Sequence, residues 1–123
     1  MKEENKIILY QDDNEITRVS VRFADEDLWL TQNQLADIYQ TSKSNVSEHI
    51  KHIFEDGELD KTVVVRNFRI TTQHGAMEGK TQSRDVAHYN LDMIIALGYR
   101  VQSQVATRFR RWATQRLHEY IQK

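Results

Sequence analysis

Residues 28–53 read LWLTQNQLADIYQTSKSNVSEHIKHI, and no other stretch of the chain says more about its architecture. The apolar side chains recur at the spacing of two short amphipathic helices, and a polar turn separates the two runs. Thr31 and Gln34 stand three residues apart at the start of the first run, as in a capping box. Ser42 or Ser44 suits the N-cap of the second run. The pattern predicts a helix-turn-helix.

The predicted turn departs from the common pattern at one position. Gln40 stands where glycine is most often found, and a left-handed backbone there costs a non-glycine residue about 1 kcal/mol. A stable domain tolerates that cost, so Gln40 does not rule out the predicted helix-turn-helix. An ordinary helical hairpin inside a core is the alternative interpretation, because amphipathic helix pairs are common.

The outward side of the second predicted helix carries short hydrogen-bonding and charged side chains. Side chains of this kind read base edges and phosphates when they project from the first turns of a recognition helix. The sequence therefore predicts that this helix contacts DNA. The candidate DNA-binding residues on it are Lys43, Ser44, Asn45, Ser47, Glu48 and Lys51.

A predicted hairpin follows directly, with strands at residues 61–72 and 81–89 and a glycine-bearing tip between them. The apolar pattern changes phase at Asn67, which suggests a bulge. A hairpin after a helix-turn-helix is typical of a wing, and a basic wing suits phosphate contacts beside the groove. The candidate phosphate-binding residues are Arg66, Arg69, Lys80 and Arg84. An ordinary solvent-facing hairpin with scattered charges is the alternative interpretation.

The two ends of the chain predict a hairpin and a pair of helices. Residues 6–10 and 16–23 are β-prone runs across an acidic turn, so a hairpin opens the domain. Near the other end, Asn90 suits the cap of a short helix over residues 91–97, and Gly98 is the residue expected just beyond its end.

A final helix is predicted to run through residue 120 or beyond. Phe109 and Trp112 belong to its apolar face, whereas Arg108 and Arg111 lie away from that face and join the candidate DNA-binding residues. The expected fold class is α+β: a winged helix-turn-helix-like domain with an N-terminal hairpin, a second hairpin as the wing and a C-terminal helix pair.

Length and composition set the broad class. The 123 residues, of 14.6 kDa, are expected to form a single domain over residues 1–123. The chain ends without a helix stop signal, so it is expected to be the N-terminal part of a longer protein. No apolar run is long enough to span a bilayer, and the start lacks the layout of a signal peptide. With no cysteine, the expected location is the cytoplasm.

Charge is distributed unevenly along the chain. Residues 1–60 hold six Lys or Arg against fourteen Asp or Glu, a net charge of −8, and residues 61–123 hold eleven against four, a net charge of +7. The formal net charge of −1 therefore conceals a basic second half. Such asymmetry is typical of nucleic-acid contact, and it also suits an acidic protein partner.

Candidate catalytic and metal sites are weak. His49 and His52 lie three residues apart on one helical face with Glu48 nearby, but a third ligand for a metal is not evident. His74, Asp85 and His88 lack an accompanying carboxylate pair. There is neither a nucleophile elbow nor a glycine-rich phosphate loop. The sequence therefore predicts no enzyme, no metal, no cofactor and no small-molecule substrate.

Three segments carry a family resemblance. The tail HYNLDMIIALGYRVQSQVATRFRRWATQRLHEYI, preceded by WLTQNQLADIY and VSEHIKHIFEDGELD, resembles the RhuM family of bacterial virulence-associated proteins. More distantly, the order of elements and the F-x-x-W pattern of Phe109 and Trp112 resemble the Bro-N domain of phage antirepressors and baculovirus repeated proteins. The resemblance covers residues 6–123. It implies a DNA-binding module of longer, phage- or mobile-element-associated proteins, and it assigns no catalytic residues.

Two functions are predicted from different classes. In the first, the domain is a sequence-specific or operator-type DNA-binding module of a transcription regulator, and it forms a homodimer that reads two half-sites of double-stranded DNA. In the second, it is a protein interaction or self-association module of a longer toxin or effector, without DNA contact. Neither function involves a membrane.

Overall fold

A five-stranded antiparallel sheet in the order β1-β2-β3-β5-β4 carries the main helices on one face. The computed structural model describes residues 6–12, 17–73, 81–101 and 104–121. The strands are β1 (Lys6–Gln11), β2 (Arg18–Ala24), β3 (Asp27–Leu30), β4 (Val65–Gln73) and β5 (Thr81–Asn90). The helices are α1 (Gln32–Tyr39), α2 (Lys43–Glu55), α3 (Lys61–Val64), α4 (Leu91–Val101) and α5 (Gln104–Ile121). The predicted α+β class is confirmed.

Alternation along β2 explains which face of the sheet is covered. Val19, Val21 and Phe23 are buried, whereas Arg18 and Ser20 between them are exposed, as expected for a strand with one face in the core. On the covered face α5 packs through aromatic rings. The rings of Tyr10 and Phe109 meet edge to face at 4.9 Å, and those of Phe23 and Trp112 lie 6.2 Å apart. The apolar face predicted for the last helix thus lies against β1 and β2.

Helices α1 and α2 form the predicted pair, with the predicted caps. The Thr31 hydroxyl accepts a hydrogen bond from the Gln34 amide while the Gln34 side chain accepts one from the Thr31 amide, so the capping box is complete. The Ser42 hydroxyl accepts from the Asn45 amide and begins α2. Gln40 between the helices has φ 53° and ψ 52°, the left-handed conformation expected there.

The two predicted hairpins belong to one sheet, because β3 joins them. β3 pairs with β2 through Trp29 and Arg22, and with β5 through Leu30 and Tyr89. The acidic turn before β3 has positive φ at both central residues, Asp25 at 56° and Glu26 at 60°, as a type I′ hairpin turn requires. The sequence did not predict β3 as a strand, and its four residues are too short to show an alternation.

Two expectations for residues 61–72 are wrong. The first four residues form the short helix α3, because the Asp60 carboxylate caps it by accepting from the amide and hydroxyl of Thr62. The predicted bulge at Asn67 is absent: β4 and β5 pair continuously from Val65–Tyr89 to Gln73–Thr81. The change of phase arises because β4 buries side chains on both faces of the sheet.

Gly98 lies inside α4, so its predicted role just beyond the helix end is wrong. A Cβ atom there would approach the Cβ of Ala106 on α5 to 2.5 Å and the Tyr39 hydroxyl to 3.1 Å. That hydroxyl donates to the Ile94 carbonyl at 2.7 Å and ties α1 to α4. Gly98 therefore serves the close approach of α4 to α5 and does not end the helix.

Candidate nucleic-acid interface

The second helix of the pair exposes the side that carries the predicted recognition residues. Val46, Ile50 and Ile53 are buried beneath it. Lys43 and Lys51, together with Ser47 between them, are four residues apart along the helix and all three are exposed, so they form one row of neighbouring side chains. Ser44 and Glu48 are exposed beside this row. We call Lys43, Ser47 and Lys51 the α2 row.

Two of the predicted recognition residues make local contacts instead of standing free. The half-buried Asn45 donates from Nδ2 to the Thr41 hydroxyl at 2.9 Å, which braces the turn before α2. The Glu48 carboxylate lies 3.5 Å from Nε2 of His52, one turn further along the helix. Both contacts stabilise α2 itself, so neither side chain is as available to a ligand as the α2 row.

The arginines of β4 have different environments. Arg66 forms an ion pair with Asp25, and its guanidinium lies over the Phe68 ring at 4.7 Å from the centroid. Arg69 is exposed and lies 3.6 Å from the Asp85 carboxylate of β5. Arg66 thus packs on the uncovered face of the sheet, whereas Arg69 extends into solvent. Lys80, also predicted to bind phosphate, lies outside the described residues.

Phe68 is the centre of a small cluster on the uncovered face of the sheet. Its ring packs edge to face with Trp29 at 5.8 Å and with the buried His88 at 4.9 Å. Arg22 lies over the same ring at 4.8 Å. Burial lowers the pKa of His88 and of Arg22, since a charged group loses hydration there. This cluster stabilises the sheet beneath Arg66.

The C-terminal arginines also separate into two kinds. Arg108 makes two hydrogen bonds to the buried Asp12 carboxylate, from Nε at 2.8 Å and from Nη2 at 2.9 Å. Arg111 is exposed on α5. Of these two predicted DNA contacts, Arg108 is engaged in holding α5 to the end of β1, and Arg111 is directed away from the core.

A cleft of about 290 Å³ brings together parts of the chain that are far apart in sequence. One wall is the beginning of α1, with Thr31, Gln32 and Asn33, and Lys43 at the beginning of α2 lies beside it. The other wall is β5, from Arg84 to Ala87 together with Tyr89. A residue predicted to enter the groove, Lys43, and one predicted to bind phosphate, Arg84, therefore line the same concave surface.

Sequence reasoning did not assign Gln32, Asn33 or Tyr89 to a site, although all three line this cleft. Gln32 donates from Nε2 to the hydroxyl of the buried Tyr89 at 3.0 Å, across 57 residues of sequence. Asn33 is exposed at the cleft wall. The available signal was the pair of polar residues in the first turn of α1, Gln32 and Asn33. These residues line a cleft only because β5 lies opposite them, and the position of β5 is set by its pairing with β3 and β4.

The described part of the chain holds neither a candidate metal cluster nor a membrane-spanning helix. Over residues 6–12, 17–73, 81–101 and 104–121, no group of three His, Asp or Glu side chains is arranged to hold a metal ion. No helix within these same ranges is both long and apolar enough to traverse a bilayer.

Comparison with known families matches the second half of the chain. No curated protein and no solved structure is significantly similar to the chain. A family model described as "Virulence protein RhuM family" matches residues 63–123, from the end of α3 through the β4–β5 hairpin to the last residue. The match does not include α1 or α2. It bears out the RhuM resemblance of the tail: residues 63–123 match the RhuM family.

Proposed function

We propose that this domain binds double-stranded DNA by placing the first turns of α2 in the major groove. The observation that carries the proposal is the exposure of the α2 row, Lys43, Ser47 and Lys51, on a helix that is anchored in the core by its opposite side. The major groove admits one α-helix. A helix held rigidly by its apolar side can present its polar side to base edges without first becoming ordered.

The surroundings of α2 support this arrangement. The Ser42 cap of α2 and the hydrogen bond from Asn45 Nδ2 to the Thr41 hydroxyl stabilise the turn between the helices. α2 begins beside β5, so a duplex that receives α2 passes close to the β4–β5 hairpin. In this proposal Arg84 and Arg69 contact phosphates as a wing does, and Arg111 adds a phosphate contact from α5. Arg66 and Arg108 serve mainly to hold the fold.

The charge of the chain supports the same assignment. The acidic residues are concentrated in the first half, but α2 begins with cationic and neutral side chains, and its first turn contains no acidic residue. A positive helix start faces phosphate more favourably than an acidic one. The basic second half supplies the hairpin and α5 that flank it. The net charge of the whole chain is therefore a poor guide to the charge of this surface.

Fluorescence anisotropy on a labelled random duplex tests the proposal. Binding should weaken steeply between low and moderate salt, because each neutralised phosphate contributes a slope of roughly −0.9 in log K against log salt. Lys43→Ala and Lys51→Ala should each weaken binding. Lys61→Ala is the matched control, since Lys61 is an exposed lysine on α3, after the opposite end of α2. Equal affinity of all three variants and the unsubstituted protein would contradict the proposal.

Selection of bound oligonucleotides from a random pool tests whether the binding is sequence-specific. A defined site should emerge, and Ser47→Ala should relax the preference at one position, with a loss of about 1–3 kcal/mol on that site. A pool that stays random would limit the proposal to non-specific binding. An operator-type site would support the role of a regulator of phage or mobile-element genes that the RhuM and Bro-N resemblances imply.

Self-association is a second candidate function, and one observation favours it. Ile7 and Leu9 on β1 are 52% and 54% exposed, and β1 is an edge strand of the sheet. An edge strand with apolar side chains and few charges invites pairing with another strand. We infer that a second copy of this chain pairs along β1, which would give the twofold symmetry that suits two DNA half-sites.

Analytical ultracentrifugation over a range of concentrations tests self-association. The unsubstituted protein should sediment as a dimer, and the Ile7→Lys/Leu9→Lys variant as a monomer. Val63→Lys provides the control, because Val63 is 61% exposed but lies on α3. A protein that stays monomeric at every concentration would exclude this second candidate without affecting the first.

A further inference from the structure

We propose that the cleft between the beginnings of α1 and α2 and strand β5 holds one phosphate group of the DNA backbone. This inference rests on the proposed DNA-binding function and adds a defined subsite to it. The cleft lies beside the α2 row, since Lys43 belongs to both. When α2 lies in the major groove, one of the DNA strands that border the groove would pass its phosphates over the opening of the cleft.

The charged groups of the cleft favour an anion. Lys43 and Arg84 line it, and neither is within ion-pair distance of a carboxylate among the residues that the structure describes. The carboxylate that lines the cleft, that of Asp85, lies 3.6 Å from the Arg69 guanidinium. The charge of Asp85 is thus partly balanced by Arg69, which does not line the cleft, whereas Lys43 and Arg84 make no ion pair within the described ranges.

A buried hydroxyl adds a hydrogen-bond donor. Tyr89 is only 7% exposed, and its oxygen accepts the bond from Gln32 Nε2 at 3.0 Å. The hydroxyl proton has no acceptor among the described residues of the chain, although a buried hydroxyl normally donates as well as accepts. A phosphate oxygen would supply the acceptor. The bond from Gln32 thereby orients the Tyr89 hydroxyl as a donor, which favours an anion over a cation or an apolar ligand.

The size of the cleft suits one phosphate group. Its volume of about 290 Å³ is larger than a single water molecule needs, so a group of several atoms can enter it. The exposed Asn33 amide stands at its wall. Phosphate contacts of this kind fix the register of a protein on a duplex without reading sequence.

Substitutions that remove one donor at a time test the inference by anisotropy on duplex DNA. Tyr89→Phe, which keeps the ring, should weaken binding several-fold, and Lys43→Ala and Arg84→Ala should each weaken it about tenfold, as expected for a lost hydrogen bond to a charged group. The double variant Lys43→Ala/Arg84→Ala should lose less than the product of the two single losses, because both residues serve the same phosphate. Circular dichroism and thermal melts should show that all variants are folded.

Neutralising the phosphate provides the converse test. In a duplex taken from the selected pool, single methylphosphonate substitutions remove the charge of one phosphate at a time. One position should weaken binding of the unsubstituted protein about tenfold while having little effect on the Lys43→Ala/Arg84→Ala variant. If every position affects both proteins equally, the inference is wrong.

Different results would contradict the phosphate subsite and the proposed DNA binding. If the protein binds duplex DNA and Lys51→Ala weakens that binding, but Tyr89→Phe and Arg84→Ala do not, DNA binding stands and the phosphate subsite is wrong. If no duplex binds, both are wrong. Inorganic phosphate tests the other source of the ligand: should it perturb the Tyr89 NMR resonances at millimolar concentration while duplex DNA does not, the cleft is a free-anion site and the inference is overturned.

Discussion

The guanidinium of Arg108 and the carboxylate of Asp12 form a bidentate ion pair that connects residues 96 positions apart in sequence. Asp12 is only 3% exposed and also accepts a hydrogen bond from the Tyr10 hydroxyl at 2.8 Å. The pair holds α5 against the end of β1, at the edge of the aromatic contacts between Tyr10 and Phe109. It therefore couples the C-terminal helix to the N-terminal hairpin.

Arg108→Ala should lower the free energy of unfolding by about 3 kcal/mol, because it leaves a buried carboxylate without its cation. Chemical denaturation measures this loss. Arg110→Ala is the matched control, since Arg110 is exposed on the same helix, and it should change stability by less than about 0.5 kcal/mol. If Arg108→Ala is as stable as Arg110→Ala, the ion pair does not contribute to stability and this account of Arg108 is wrong.

Gly98→Ala should destabilise the protein although alanine is the better helix former. The added methyl would approach the Ala106 Cβ to 2.5 Å, and overpacking of this kind costs about 1–3 kcal/mol, against a gain of about 1 kcal/mol in helix propensity. The double variant Gly98→Ala/Ala106→Gly moves the methyl from α5 to α4. It should recover part of the loss in urea denaturation, and strictly additive effects of the two substitutions would show that the helices do not meet there.

At Gln40 the cost of a left-handed backbone is offset by a side-chain hydrogen bond. Its left-handed conformation favours glycine by about 1 kcal/mol, but its Nε2 donates to the Thr17 hydroxyl at 2.9 Å, a bond of similar worth. Gln40→Gly should therefore leave the free energy of unfolding nearly unchanged. Gln40→Ala keeps the strain and loses the bond, so it should be about 1 kcal/mol less stable in the same denaturation measurement. Equal losses for both variants would contradict this account.

His88 should make stability depend on pH. Burial lowers the pKa of His88 below its ordinary value of 6.5, so the unfolded chain binds more protons than the folded protein as pH falls through that range. Stability therefore decreases with falling pH below about 6.5, and above it the histidine is neutral in both states.

His88→Gln removes this titration and leaves all other groups in place. The difference in unfolding free energy between the unsubstituted protein and His88→Gln should be constant above about pH 7.5. At pH 5.5 the unsubstituted protein should have lost stability relative to His88→Gln. Urea denaturation at the two pH values measures it. The same difference at both values would mean that His88 titrates equally in the folded and unfolded states.

Local signals predicted the helix pair well. The caps of α1 and α2 are hydrogen bonds between residues three apart, and the buried stripe of Val46, Ile50 and Ile53 follows from the helical period. The left-handed Gln40 was also expected from its position in the turn. These features depend on neighbouring residues alone, so they are visible in a sequence without knowledge of the rest of the fold.

Errors arose where distant segments meet. β3 is a strand because it pairs with β2 on one side and β5 on the other, and its four residues show no period of their own. The phase change in β4 looked like a bulge, but Val65 packs towards the main core and Phe68 towards the cluster on the opposite face. Gly98 looked like a helix end, and only the crossing with α5 explains it.

The sequence alone determined the α+β class, the positions of α1 and α2 and the row of polar side chains on α2, because periodicity and capping act over a few residues. The family resemblance of the tail was also visible in the sequence. The tertiary structure alone decided that Arg108 faces Asp12, and that Lys43 and Arg84 line one cleft with Tyr89. Both outcomes depend on strand order and helix packing, which bring together side chains that no local signal relates.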